Sequence, residues 1–236
     1  MLILGPKLTI QMSVSVQIAV NDSLYLRNPQ ETKLGRNIIL NSIQLIDEVG
    51  LEKFTFKKLA IRMGSTEASI YRYFENKHLL LLYLLSWYWE WLNFRIDFNS
   101  MNVSDPKEKL KIVIRTIADT IRLSIPPDYI DRDTLNRIVV AEGSKAYHIK
   151  SVDEENNKGY FFTYKRLTKK IAGIIQEIKP GFCYPHTLAS NLLEMGNNQL
   201  HFAQHLPALT DIKVGDGDME DLIKMMEHFA FKLISD

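Results

Sequence analysis

The sequence predicts an all-α fold, and three observations predict it. Capping residues followed by apolar positions three and four apart recur along most of the chain. The strongest turn formers, Pro180-Gly181 and Gly215-Asp216-Gly217 among them, fall between such runs. Only one stretch, near the N-terminus, alternates apolar and polar residues as a half-buried strand does. A chain of 236 residues with 46% hydrophobic and 24% charged residues has ample apolar material for one or two globular domains, which argues against disorder.

Taken in order, the alternating stretch is Leu8, Ile10, Met12, Val14, Val16, Ile18 and Val20. A lone strand leaves its backbone groups unpaired, so it is expected either to pair with its counterpart in another subunit or to remain disordered. Met12 is an alternative start that would shorten it. Residues 1–31 are therefore read as an N-terminal extension, closed by the turn Asn28-Pro29-Gln30. Thr32 opens the first long helix, with Leu34, Ile38, Leu45, Ile46 and Val49 as its inner stripe, and Gly50 ends it.

The stretch around which the rest is organised is Thr55 to Lys77, TFKKLAIRMGSTEASIYRYFENK. Thr55 is an N-cap for a short helix, Phe56 to Met63, that turns Leu59, Ala60 and Met63 inward. Gly64 supplies the left-handed conformation needed by a sharp turn between helices. Thr66 caps a second helix from Glu67 to about Phe74, burying Ile70 and Phe74 and leaving Glu67, Ala68, Ser69 and Arg72 outside. Asn76 caps a third helix at Lys77. Short helical units joined with almost no loop form a helix-turn-helix, whose second helix is built to enter the major groove of DNA.

These residues resemble the DNA-binding domain of the TetR family of bacterial transcriptional regulators. GRNIILNSIQLIDEVGLEKFTFKKLAIRMG is similar to that family's first two helices, and STEASIYRYFENKHLL to its recognition helix and the start of its fourth. Ile38-Ile39, Gly50, Thr55, Leu59-Ala60, Gly64, Ile70-Tyr71, Phe74 and Lys77 all fall in register. The resemblance covers about the N-terminal third of the chain; beyond it the similarity is one of helix number and length. It implies a helix-turn-helix domain over residues 32–78 and a helical effector-binding and dimerisation domain over residues 79–236. The alternating N-terminal stretch departs from the family's usual short polar arm.

The remaining helices follow from caps and breakers. One runs from Lys77 to about Phe98, apolar nearly all round and so buried on more than one side. Asp105-Pro106-Lys107-Glu108 starts another that reaches about Leu123, before Pro126-Pro127. Others are expected at Asp133 to His148, Val152 to Ile178, Pro185 to His205 and Asp218 to Ile234, nine in all.

On the resemblance, Thr66, Glu67, Ala68, Ser69 and Arg72 face base edges, with Arg72 suited to guanine and Ala68 to a thymine methyl. Thr55, Lys57, Tyr71, Tyr73 and Lys77 are the expected phosphate contacts, near helix ends whose free amides also favour phosphate. Tyr83, Trp87, Trp91 and Phe94, with Phe161, Phe162 and Tyr164, are expected to line a pocket for a flat or apolar effector, although aromatics at helical spacing more often form plain core. Leu192, Leu193, Leu222, Met225, Met226, Phe229 and Leu233 are read as the interface of a homodimer, two helices from each subunit. The partners so implied are double-stranded DNA, a second copy of the chain and a small-molecule effector, with no cofactor.

Other classes find less support. Lys and Arg number 29 against 28 Asp and Glu, a net charge of +1, so any DNA affinity rests on where the cations sit rather than on a basic field. That balance, and Glu67 on the recognition helix, suit a rival reading: a helical interaction or ligand-binding protein of the same fold that has lost DNA recognition. No nucleophile, carboxylate pair or metal cluster suggests an enzyme. His201 and His205, four apart on one helix face, lack a clear third ligand and are not read as a metal site. The single cysteine, Cys183, is read as a small apolar residue; together with the absence of an evident signal peptide it fits a cytoplasmic protein. The run LLLLYLLSWYWEWL is too short to span a bilayer.

Overall fold

The computed structural model describes residues 18–119, 129–213 and 218–235. Ten α-helices make up its framework: α1 (Lys33–Lys53), α2 (Phe56–Met63), α3 (Glu67–Tyr71), α4 (Lys77–Ser100), α5 (Pro106–Ala118), α6 (Arg132–Tyr147), α7 (Val152–Asn157), α8 (Phe162–Ile178), α9 (Pro185–His205) and α10 (Glu220–Ser235). Their caps are largely those the sequence names. Thr32, Thr55, Thr66 and Asn76 each accept a hydrogen bond from a first-turn amide of the helix that follows, and Asp105 does the same for α5.

Helix α4 is the axis. Every residue from Leu79 through Trp89 is buried, because α5, α6 and α8 pack around it. No polar stripe remains, as expected for a helix enclosed on all sides. Trp87 and Trp91 stack with ring centroids 6.0 Å apart, and Phe94 and Phe98 extend the stack toward the helix end. Around this axis α8 packs on α5 and α9, and α10 on α5 and α9. The head, formed by α1 to α3, joins this body through the start of α4 and through contacts of α1 with α6.

The structure differs from the sequence expectations at several points: Leu34, expected on the inner stripe of the first helix, is exposed, and α1 kinks at Gly50 and continues to Lys53 rather than ending there. The helix expected from Val152 to Ile178 is two, α7 and α8, and between them Gly159 adopts φ +79°, a left-handed conformation that departs from helical geometry. The nine expected helices therefore become ten among the described residues. Helix α3 ends at Tyr71 rather than near Phe74. Residues 8–17 of the expected strand lie outside the described residues, as does the end of the helix expected to reach Leu123. Within the described part, Ile18 and Val20 are in no strand; Ile18 is buried and its carbonyl accepts from Gln30 Nε2 at 2.7 Å. Finally, Cys183 is exposed in the turn before α9 rather than packed as a small apolar residue.

Residues 18–31 bind the head to the body. Leu24 is fully buried, the Leu26 amide donates to the Tyr73 carbonyl at 2.8 Å, and Asn21 Nδ2 donates to the Gly159 carbonyl at 3.0 Å. Pro29 sits so close to α1 that a Cβ on Gly35 would come within 2.3 Å of the Pro29 carbonyl oxygen. The obstacle is backbone and has no rotamer to escape into. Gly35→Ala is expected to lower stability by about 1–3 kcal/mol, the usual cost of overpacking, read from the midpoint of urea unfolding.

Candidate nucleic-acid interface

Gly64, at φ 59° and ψ 38°, turns the chain between α2 and α3. Ile70 and Phe74 anchor α3 from below with no exposed surface, and Leu59 does the same for α2. What remains outside is Thr66, Glu67, Ala68, Tyr71 and Arg72, with Ser69 half-buried. The Thr66 and Ser69 hydroxyls lie 2.9 Å apart and hydrogen-bond one another, which fixes the rotamers at the front of α3. Arg72 has no ion-pair or hydrogen-bond partner among the described residues, so its guanidinium is available. Arg62 is not: it is held by Glu48 at 2.6 Å and Gln44 at 3.2 Å.

Of the five expected phosphate contacts, Thr55, Lys57 and Tyr71 stand exposed on the same end of the head. Tyr71 is steadied edge-on by Phe56, with ring centroids 5.0 Å apart. The other two are corrected by the structure. Tyr73 is 1% exposed, and its hydroxyl shares a 2.7 Å hydrogen bond with Thr32 Oγ1, tying the end of α3 to the cap of α1. Its hydroxyl is turned inward because residue 73 lies beyond the end of α3. The Lys77 ammonium donates to the carbonyls of Leu51, Glu52 and Phe54 at 2.9, 3.1 and 3.3 Å. It closes the C-terminal end of α1, where free carbonyls attract a cation.

Two carboxylates that the sequence reading did not single out fix the head on the body. Buried Glu142 of α6 accepts from the Leu51 amide at 3.0 Å, just past Gly50, where α1 kinks at φ 74°. Its other oxygen pairs with Lys145 at 2.6 Å. Buried Glu155 of α7 meets His78 Nε2 at 3.0 Å in the first turn of α4. Arg137 adds a two-pronged pair with Asp47, at 2.9 and 2.8 Å. The sequence did hold a signal for Glu142, an acid on the same face as Leu135, Ile138, Val139 and Ala146.

The expected effector set is divided by the structure. Tyr83, Trp87 and Trp91 are core of α4, each almost wholly enclosed, and Phe94 is half-buried in the same stack. Phe162 points outward beneath the Arg166 guanidinium. Phe161 and Tyr164 instead join Tyr147 on a groove of about 600 Å3 between α7, α8 and α9. Tyr147 and Tyr164 stack at 5.6 Å, and burial holds both phenols above the usual range, so they stay neutral. Trp89 Nε1 donates to the Tyr147 hydroxyl at 3.1 Å, linking this groove to α4.

The expected dimer set divides similarly. Leu192, Leu193, Leu222 and Met226 are consumed in packing α9 and α10 onto the protomer's own core. Met225 is half-buried, while Phe229 and Leu233 face outward, 45% and 53% exposed. Among the described residues no helix is long and apolar enough to cross a membrane, and no group of three metal-ligating side chains occurs.

A capped α2, a glycine turn and a short α3 with an outward arginine, mounted on an all-helical body, define a helix-turn-helix DNA-binding protein. Residues 38–84 match the family model of bacterial regulatory proteins, tetR family, so the head is a TetR-family DNA-binding domain. No curated protein matches the chain in sequence. Solved structures show that the likeness extends through the body. AibR in complex with isovaleryl coenzyme A and operator DNA is similar over 82% of this chain and 97% of its own, with a TM-score of 0.57 and 16% identity. The ketosteroid transcriptional regulator KstR2 of Mycobacterium tuberculosis is similar over 86% and 94%, TM-score 0.55, 14% identity. The fatty acid degradation regulator FadR from Bacillus halodurans is similar over 82% and 92%, TM-score 0.54, 18% identity. At these identities the likeness is one of fold, which is that of TetR-family transcriptional regulators.

Removing the ammonium of Lys77, in Lys77→Met, is expected to destabilise the chain by about 1.5–3 kcal/mol, the range for a hydrogen bond to a charged group. Thermal unfolding in the absence of DNA checks this; an unchanged midpoint would return Lys77 to the phosphate contacts.

Proposed function

We propose that this chain is a transcriptional repressor that binds a pseudo-palindromic operator as a homodimer and is released by a small apolar or aromatic effector. The observation that carries the reading is the outward face of α3, where Arg72 projects without a partner beside the small residues Ala68 and Ser69. Small side chains let a helix approach the groove floor, and an unengaged guanidinium suits the paired acceptors of guanine. Glu67 fits the same face as an acceptor for a cytosine amino group. Thr55, Lys57 and Tyr71 serve as phosphate contacts that set the register.

Dimer formation is supported by the apolar side chains left outside on α10 and on the turn that follows α9. Leu209, Met225 and Phe229 border one hollow of about 480 Å3, with Leu233 one turn beyond Phe229. In this reading a second copy covers this strip, and the two α3 helices of the dimer enter successive major grooves about 34 Å apart. The groove bordered by Tyr147, Phe161 and Tyr164 is the effector site in this reading. A solved relative of the same fold that holds both operator DNA and isovaleryl coenzyme A supports coupling of the two ligands on this architecture. An effector acts only through its different affinity for the DNA-bound and free arrangements.

Selection of random duplex DNA by the purified protein tests the reading. A palindromic winner, bound with a steep salt dependence, is the expected result; no enrichment from any starting pool overturns it. On that winner Arg72→Ala is expected to weaken binding roughly 5- to 150-fold, the equivalent of about 1–3 kcal/mol, and to relax base preference at one position of each half-site. The double variant Phe229→Lys, Leu233→Lys is expected to halve the mass measured by light scattering and to abolish high-affinity operator binding.

A further inference from the structure

A second cleft, of about 250 Å3, opens where the end of α1 meets α6 and α9. It is separate from the aromatic groove, with which it shares no residue. Its chemistry is set by two amides. Asn136 and Asn197 are 4% and 6% exposed, and both border the cleft. Asn136 Nδ2 donates to the Tyr88 hydroxyl at 2.8 Å, and that hydroxyl reaches Asn197 Oδ1 at 3.5 Å. The carbonyl oxygen of Asn136 and the amino group of Asn197 are thereby left without a partner among the described residues. Neither of these two atoms is fully enclosed, so on either side of the Tyr88 hydroxyl an acceptor and a donor open onto the cleft and are available to an occupant that supplies their complements.

The rest of the lining narrows the class. The charges at the edge are already matched: Asp47 with Arg137, and Glu142 with Lys145 and the Leu51 amide. A net charge on an occupant would find no free counter-charge among these side chains. The imidazoles of His201 and His205, 4.7 Å apart, form the α9 wall and offer either a donor or an acceptor. Ile46, Ile138 and Leu200 give apolar surface. The volume lies below the roughly 300–1,000 Å3 of sites for drug-sized ligands.

We infer that this cleft binds a small neutral heterocycle with an N–H and a C=O on one edge, a lactam or nucleobase-like ring, held edge-on by Asn136 and Asn197. The occupant touches α1 of the head and α6 and α9 of the body at once.

Isothermal titration of the full chain, without DNA, with 2-pyridone, uracil and hypoxanthine tests the site. Benzoate and benzylamine serve as charged rings of similar size. At least one neutral lactam is expected to bind, at least tenfold more tightly than either charged ring. Asn197→Leu is expected to weaken that binding at least tenfold. Ala141 is an exposed residue of α6 on the cleft, so Ala141→Trp fills the space without entering the core and is expected to abolish binding while the thermal midpoint stays within a few degrees. Tyr164→Leu, in the other groove, is expected to leave it unchanged. No binding by any of the three lactams, equal binding of a charged ring, or binding that survives Ala141→Trp overturns the assignment. Because no readout involves DNA, none of these outcomes bears on the operator reading.

Discussion

The structure depends on the burial of α4 on every side. A helix whose residues are enclosed without a break from Leu79 to Trp89 cannot rotate or slide without unpacking α5, α6 and α8 together. Its first turn, however, belongs to the head as much as to the body: Asn76 caps it directly after α3, and Lys77 reaches back to the end of α1. The enclosed stretch therefore begins within one turn of the helix-turn-helix unit, while the far end of α4, at Asp97, Phe98 and Asn99, is exposed. Any displacement of its N-terminal turn is a displacement of α3.

Polar contacts, rather than apolar area, then set the angle of the head. Glu142 on the Leu51 amide, Glu155 on His78 and Arg137 on Asp47 are few and specific, and two of them use a buried carboxylate. Apolar packing tolerates sliding because it has little directionality, whereas a buried carboxylate deprived of its partner is costly. An arrangement of this kind has discrete positions rather than a continuum, which is the property a switch between two head angles requires. Both clefts touch it. Helix α7 supplies Val152 and Asn156 to the aromatic groove and Glu155 to the His78 contact, while the amide cleft is bordered by Gly50 and Glu142 themselves.

The head works with few cations. Arg62, Lys58 and Lys77 all have intramolecular duties, to Glu48, to the Lys53 carbonyl and to the α1 end. That leaves Lys57 and Arg72 among the outward cations of α2 and α3, with the carboxylate of Glu67 exposed on α3 as well. So few unengaged cations give that face little long-range attraction, in keeping with a chain whose charges nearly cancel.

The sequence by itself determined the local structure of the head: the caps Thr32, Thr55, Thr66 and Asn76, the Gly64 turn, and the inward Ile70 and Phe74 were legible because capping and helical periodicity act over four residues or fewer. The enclosure of α4 was legible for the same reason, since a helix without a polar face has nowhere to go but inside. Only the tertiary structure decided which polar side chains were already spoken for. Tyr73 and Lys77 fall in register with exposed contacts, yet their partners, Thr32 and the carbonyls of residues 51, 52 and 54, lie more than twenty residues away in sequence. The same holds for the apolar residues of α9 and α10: periodicity marked Leu192 and Phe229 alike as one set, and only the packing of α9 and α10 on α5 separated those spent within the protomer from those left outside. Long-range pairing is a property of the assembled packing, and no local pattern in the chain encodes it.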